Sequence, residues 1–234
     1  MYTTLLFSLL VVNSSRSETV TPVLMYHAVD DHIDGSEELF VSPAEFYKQM
    51  KYLHEQKYTT LTFNDIDDYH KYKNPIIITF DDGYKDLYQY AFPILKEFNF
   101  KATVFLITGY VDHPGYLSQK EISEMSGVFS FESHTVSHPQ LDQMTGAQVE
   151  KECKESKAMI EKITHKPVKA LSYPYGRYNK NVLAIAEKYY KYCVTTNYGN
   201  YKTGDKRYEI KRINVARSDT IDAYREIIRK GRIR

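Results

Sequence analysis

Two adjacent acids, Asp81 and Asp82, close the apolar run Ile76-Ile77-Ile78-Thr79-Phe80 and are followed at once by Gly83. Carboxylates at the carboxyl tip of a strand are where α/β enzymes keep their chemistry, although Asp-Gly alone is commoner as a turn signal. Two further groups lift the pair above a turn. His134 and His138 stand four apart in His134-Thr135-Val136-Ser137-His138-Pro139, a spacing that on a helical turn puts both imidazoles on one face, toward a single ion. His27 ends another apolar run, Val23-Leu24-Met25-Tyr26-His27.

Together these residues describe hydrolysis assisted by a divalent cation. Two neutral imidazoles and one carboxylate are a common ligand set for a catalytic ion, and Asp82 is the natural third ligand to His134 and His138. Zinc suits this set, as do cobalt, nickel and iron. The attacking water also needs a base within hydrogen-bond reach, and Asp81 is available, its charged form favoured by the neighbouring cation. Successive strand residues point to opposite sides, so adjacent acids rarely share one role unless the strand ends and twists there, as Gly83 suggests. His27 can serve as the general acid for a leaving amine if the first and last strands are neighbours, as in a closed barrel. Taken alone, His27 reads as a structural histidine at a strand end.

The elements that must position these groups alternate between β-rich apolar runs and longer amphipathic stretches, the pattern of βα units around a parallel sheet. Eight strands are expected near Val23–Val29, Thr59–Thr62, Ile76–Phe80, Ala102–Ile107, Val128–Glu132, Lys169–Tyr173, Tyr192–Thr196 and Glu209–Val215. Helical periodicity covers Pro43–Gln56, Asp86–Phe98, Ser118–Ser126, Thr145–Ile163, Asn179–Tyr189 and Asp219–Lys230. Ser42-Pro43-Ala44-Glu45 and Ser118 with Glu121 carry helix-start signals. The fold class is therefore α/β, a closed or nearly closed (β/α) barrel. An open doubly wound sheet is the alternative, but it would carry a glycine-rich phosphate loop that this sequence lacks.

A chain of 234 residues suits one such domain. Thirty-one basic and 30 acidic side chains leave a formal charge of +1, so no bulk field points to nucleic acid or an anionic membrane. Cys153 and Cys193 lack the spacing of a disulfide framework or metal knuckle and read as free thiols. Leu5 to Val12 has the length of a signal-peptide core and is too short to span a bilayer, though no basic residue precedes it and no Ala-x-Ala site follows. Residues 1–19 are read as a signal or apolar N-terminal segment, the one part expected to touch a membrane, and 20–234 as the catalytic domain of a secreted or cell-surface protein. Nothing in the sequence sets the oligomeric state.

Thr79-Phe80-Asp81-Asp82-Gly83, the His134 to Pro139 segment and Tyr173-Pro174-Tyr175-Gly176 resemble, in order and spacing, the first three signature motifs of the polysaccharide deacetylases. These are the NodB-homology enzymes of carbohydrate esterase family 4, and the resemblance runs from about Pro22 to the end. It implies a distorted (β/α) barrel of about seven to eight strands and metal-dependent removal of N-acetyl groups from an N-acetylglucosamine-containing glycan. By that likeness Asp81 is the base, Asp82, His134 and His138 hold the ion, and the main-chain N–H of Tyr175 helps hold the oxyanion, since Pro174 has none to offer.

Two departures from the family pattern matter. Relatives carry a Leu-x-His motif, the general acid, near the C-terminus, whereas no histidine follows His165 here. Met25-Tyr26-His27 looks like that motif moved to the front, which resembles the circularly permuted deacetylases of poly-N-acetylglucosamine. The second departure is Ser172, where many relatives have an arginine that orients the catalytic aspartate; a serine makes no charged bidentate contact. Arg212 is the candidate substitute, with an ordinary outward-facing arginine as the alternative. The acidic-aromatic fourth motif is not recognisable, and Asp219 reads as a cap for the last helix.

Tyr84, Tyr173 and Tyr178 are candidates for stacking on sugar rings. His32, His54, His70, His113 and His165 have no comparable context, and the charged run Lys151 to Lys162 reads as a solvated helix face. Two competing functions stand beside the leading one. A carbohydrate-binding protein with a decayed site would fit Ser172, and a deacylase of a non-sugar amide or an O-acetyl ester would use the same residues.

Overall fold

A computed structural model of the chain describes residues 20–33, 35–202 and 204–230; the apolar segment 1–19 lies outside them. Eight barrel strands appear in chain order as β1 (Val23–Tyr26), β2 (Thr59–Leu61), β3 (Pro75–Phe80), β4 (Ala102–Leu106), β5 (Phe129–Ser133), β6 (Ala170–Ser172), β7 (Tyr192–Tyr198) and β8 (Ile210–Asn214). Seven of them form a closed parallel ring in the order β1-β8-β7-β6-β5-β4-β3, with β3 pairing back to β1. Closure excludes the open sheet and makes the first and last strands neighbours, Leu24 opposite Ile213. The eighth strand, β2, lies along the first half of β3 with Leu61 opposite Ile77, while β4 takes the second half with Thr79 opposite Thr103.

Side chains alternate across this ring as the strand period requires. On β3, Ile77 joins Val23, Phe105 and Val194 in one apolar cluster, whereas Ile76, Ile78 and Phe80 join a second, larger one with helix residues such as Phe46, Leu87 and Leu95. Continuing that alternation puts Thr79 and Asp81 on the Ile77 side, within the ring, which is where β8 sends Arg212.

Among the described residues six α-helices surround the ring: α1 (Pro43–Glu55), α2 (Phe92–Glu97), α3 (Gln119–Met125), α4 (Gly146–Thr164), α5 (Lys180–Tyr189) and α6 (Ile221–Lys230). Ser42 accepts from the Glu45 N–H before Pro43, and Ser118 with Glu121 forms a full capping box, as the sequence pattern predicts. The last helix differs: Thr220 caps it by accepting from the Ala223 N–H, while Asp219 accepts from Ala216 one turn earlier. The helix expected over Asp86–Phe98 is divided into a wide π turn, Leu87–Ala91, and α2. Pro93 explains the division, because it has no N–H to close a regular turn. No helix among the described residues is long and apolar enough to cross a membrane.

Candidate active site

The two acids separate because the backbone turns between them. Asp81 ends the strand in line with Ile77 and Thr79, and its N–H donates to the Tyr26 carbonyl. Asp82 then adopts φ 73° and Gly83 φ 82°, so the second carboxylate leaves the ring interior for the mouth. A Cβ at position 83 would stand 2.6 Å from Leu106 Cδ2, which leaves glycine as the residue that fits this turn.

Asp81 meets a buried arginine. Arg212, 1% exposed, donates from Nη1 to Asp81 Oδ1 and from Nη2 to Asp81 Oδ2, both at 2.7 Å. Its remaining donors reach Thr195 O at 3.0 Å, Thr79 Oγ1 at 3.1 Å and Ser172 Oγ at 3.0 Å. Those contacts occupy every guanidinium N–H, as a buried charge requires. The outward-facing alternative for Arg212 is therefore wrong. Ser172 also takes part, donating its hydroxyl to Asp81 Oδ2 at 3.1 Å. Burial works to raise the Asp81 carboxyl, but the charge and hydrogen bonds of Arg212 outweigh it and hold the group well below the usual carboxylate range.

Beyond Asp81, Asp82, His134 and His138 bring one ligand atom each to within 4.8 Å of one another. Asp82 Oδ1 lies 3.4 Å from His134 Nε2 and 3.6 Å from His138 Nε2, and the two Nε2 atoms are 3.1 Å apart. His134 Nδ1 is 2.8 Å from the Ser172 carbonyl. A carbonyl only accepts, so Nδ1 carries the hydrogen and Nε2 turns its lone pair to the cluster. Burial and the neighbouring His134 push His138 down to about 4, leaving its imidazole neutral. Converging nitrogen lone pairs and a carboxylate held in ionised form are the donor set a divalent cation takes. The trio does not use helical spacing, however: residues 134–138 form a loop in which Thr135 (φ 69°) and His138 (φ 57°) are left-handed.

His27 follows Tyr26, whose carbonyl holds Asp81, so it stands at the same mouth. It is half-buried; burial lowers its proton affinity, and Asp81 and Asp82 act in the other direction. Tyr175 is left-handed (φ 58°) in a turn closed by Gly176 N–H to Tyr173 O, and its ring lies 4.5 Å from that of His138. A Cβ at Gly176 would meet Thr196 Oγ1 at 2.1 Å. Of the tyrosines expected to stack on sugars, Tyr173 is unavailable, being 1% exposed, stacked on Tyr178 and hydrogen-bonded to Tyr208 O. Tyr84 is flanked by Phe40 and Tyr116, and Tyr178 is half-buried and donates to Glu209. The exposed ring beside the site is that of Tyr175, at 58%. Cys153 and Cys193 are free and buried, away from this chemistry. Within the charged run of α4, Glu152 is not solvated as its neighbours are: it bonds to the loop that carries the histidines.

Comparison with known proteins adds a family to this geometry. Residues 53–193 match the family model described as polysaccharide deacetylase, a stretch that contains both acids and both loop histidines but neither His27 nor Arg212. A polysaccharide deacetylase from Bacillus cereus is 41% identical in sequence and superposes with a TM-score of 0.86, covering 90% of this chain and 69% of that one. The Streptococcus pyogenes deacetylase PplD, solved in complex with acetate, is 31% identical with a TM-score of 0.85, covering 91% of this chain and 99% of that one. The poly-beta-1,6-N-acetyl-D-glucosamine N-deacetylase of Staphylococcus aureus is 31% identical over 167 residues, 63% of this chain and 58% of that protein.

Proposed function

The chain belongs to the polysaccharide deacetylase family, and on that premise we propose that it is a metal-dependent hydrolase removing N-acetyl groups from an N-acetylglucosamine-containing polysaccharide. The observation that carries this reading is the division of the acid pair: Asp81 is clamped as a carboxylate by Arg212, and Asp82 faces His134 and His138. A decayed, binding-only site has no need of a buried ion pair at its centre, and the arginine that Ser172 leaves wanting is supplied by β8. The similarity to the Staphylococcus aureus enzyme favours a glucosamine polymer as the substrate class. The apolar run Leu5 to Val12 favours a secreted or cell-surface location for this activity.

In this reading Asp82, His134 and His138 hold the divalent ion, zinc by first expectation, with cobalt, nickel and iron also suited to two imidazoles and a carboxylate. When bound, the ion supplies Lewis-acid polarisation of the acetyl carbonyl and makes the attacking water more acidic. Asp81 takes the proton of that water as its oxygen bonds to the carbonyl carbon; a carboxylate fixed by two hydrogen bonds cannot swing away from it. By the family likeness, the Tyr175 main-chain N–H would donate to the carbonyl oxygen as charge develops on it. His27 gives a proton to the nitrogen as the C–N bond breaks, and acetate and a free amine leave.

The test is acetate release from N-acetylglucosamine oligomers, poly-N-acetylglucosamine, chitin and peptidoglycan, with and without added zinc. Metal-dependent release lost in Asp81→Asn is the expected result. Polymer binding without release under any metal would sink the proposal, and faster turnover of simple esters or non-sugar amides would change its substrate.

A further inference from the structure

We propose that Glu152, on the outer helix α4, is a positioning residue that locks the His134 to His138 loop in the shape aiming both imidazoles at one point. This rests on the metal-dependent reading above. The loop passes through two left-handed residues that are not glycine, Thr135 and His138. Such conformations cost about 1–3 kcal/mol each and persist where the surroundings over-determine them.

The surroundings here do so from two sides. Glu152 Oε2 accepts from the consecutive amides of Val136 at 2.7 Å and Ser137 at 3.0 Å, and Oε1 accepts from Ser137 Oγ at 2.7 Å. Opposite, Thr108 N–H donates to Thr135 O at 3.1 Å and Gly109 N–H to Val136 O at 2.8 Å. A Cβ at position 109 would stand 2.6 Å from that oxygen, so the close approach needs glycine. Within the loop, Thr135 Oγ1 accepts from the His138 N–H at 3.0 Å.

The two histidines depend on this clamp unequally. His134 has its ring fixed by a hydrogen bond from Nδ1 to the Ser172 carbonyl, whereas His138 has no such hydrogen bond at its other ring nitrogen among the described residues and packs against the Tyr175 ring, 4.5 Å away. Its aim therefore depends on the backbone that carries it; Glu152 binds two consecutive amides of that backbone, while the Thr135 N–H donates to Ser133 Oγ and the Thr135 carbonyl accepts from Thr108 Oγ1. The carboxylate is an acceptor for charge-assisted hydrogen bonds, which are shorter and stronger than neutral ones. No step of the proposed hydrolysis uses Glu152 directly.

Zinc affinity of the full chain, measured by competition with a chromophoric chelator, tests the assignment alongside hydrogen exchange at Val136 and Ser137. Glu152→Ala is expected to weaken zinc binding by about tenfold or more, the usual effect of losing an outer partner of a ligand, and to speed exchange at both amides. Glu152→Gln keeps an oxygen acceptor and should recover most of the affinity. Glu150→Ala serves as the control, since Glu150 lies on the same helix but accepts from Tyr189; it should leave zinc affinity unchanged. Wild-type affinity in Glu152→Ala, or an equal loss in Glu150→Ala, would overturn the assignment while leaving the metal reading intact. A wild-type chain that binds no divalent metal would overturn both.

Discussion

Arg212 and Asp81, 131 residues apart in the chain, meet through two parallel 2.7 Å hydrogen bonds inside the barrel. The pair does two jobs at once, fixing the orientation of the Asp81 carboxylate, the proposed base, and keeping it charged. Removing one member leaves the other buried without its partner, which typically costs about 3–5 kcal/mol. Arg212→Met should therefore lower both thermal stability and turnover sharply, and Arg212→Met combined with Asp81→Asn should restore much of the stability but none of the turnover. Thermal melts and acetate release on the same preparations check this.

His27 is expected to matter only where the leaving group needs a proton. His27→Ala should slow amide hydrolysis by roughly a hundredfold or more, within the range for a positioned general acid. An aryl acetate, whose leaving oxygen departs unprotonated, should be hydrolysed at a rate close to that of the wild type. Equal losses on both substrates would assign His27 a structural role instead.

Chelation should abolish acetate release, and readdition of zinc or cobalt should restore it. His138→Ala and Asp82→Ala should each fail to recover at metal concentrations that saturate the wild type, because each removes one of three ligand atoms. Retention of full activity after exhaustive chelation contradicts the proposed chemistry.

Asp86 gives the fold a pH dependence. Its Oδ2 accepts from the Val29 N–H, two residues beyond His27, while burial pushes the carboxyl up to about 7. A raised carboxyl means that the folded chain binds a proton the unfolded chain releases, so its stabilising contribution is complete below about pH 4 and fades as pH rises through 7. Asp86→Asn should flatten this slope, which between pH 5 and pH 8 amounts to roughly 3 kcal/mol at most. Urea unfolding of both proteins across that range is the measurement; parallel curves would contradict it.

Much of this architecture is legible in the residues. Apolar runs place the strands to within a few residues, and counting eight of them implies a ring that brings His27 to the acids. Arg212 can be picked out, but its direction cannot be read from a five-residue strand, because the inward face is defined only once β7, β6 and β3 surround it. The histidine loop misleads for a different reason: spacing of four suggests a helix, whereas the left-handed backbone at Thr135 and His138 is imposed by Gly109 and Glu152 from elsewhere in the chain. Glu152 itself hides in a charged helix because two of its three partners are main-chain amides, which leave no mark on side-chain pattern.

Because β8 closes the ring between β7 and β1, the order of synthesis has a consequence for when the protein can act. A nascent chain that has delivered every residue through β7 already contains both acids and all three site histidines. Without β8 the ring is open and Asp81 lacks the Arg212 guanidinium, so the strand that completes the barrel is also the one that completes the site.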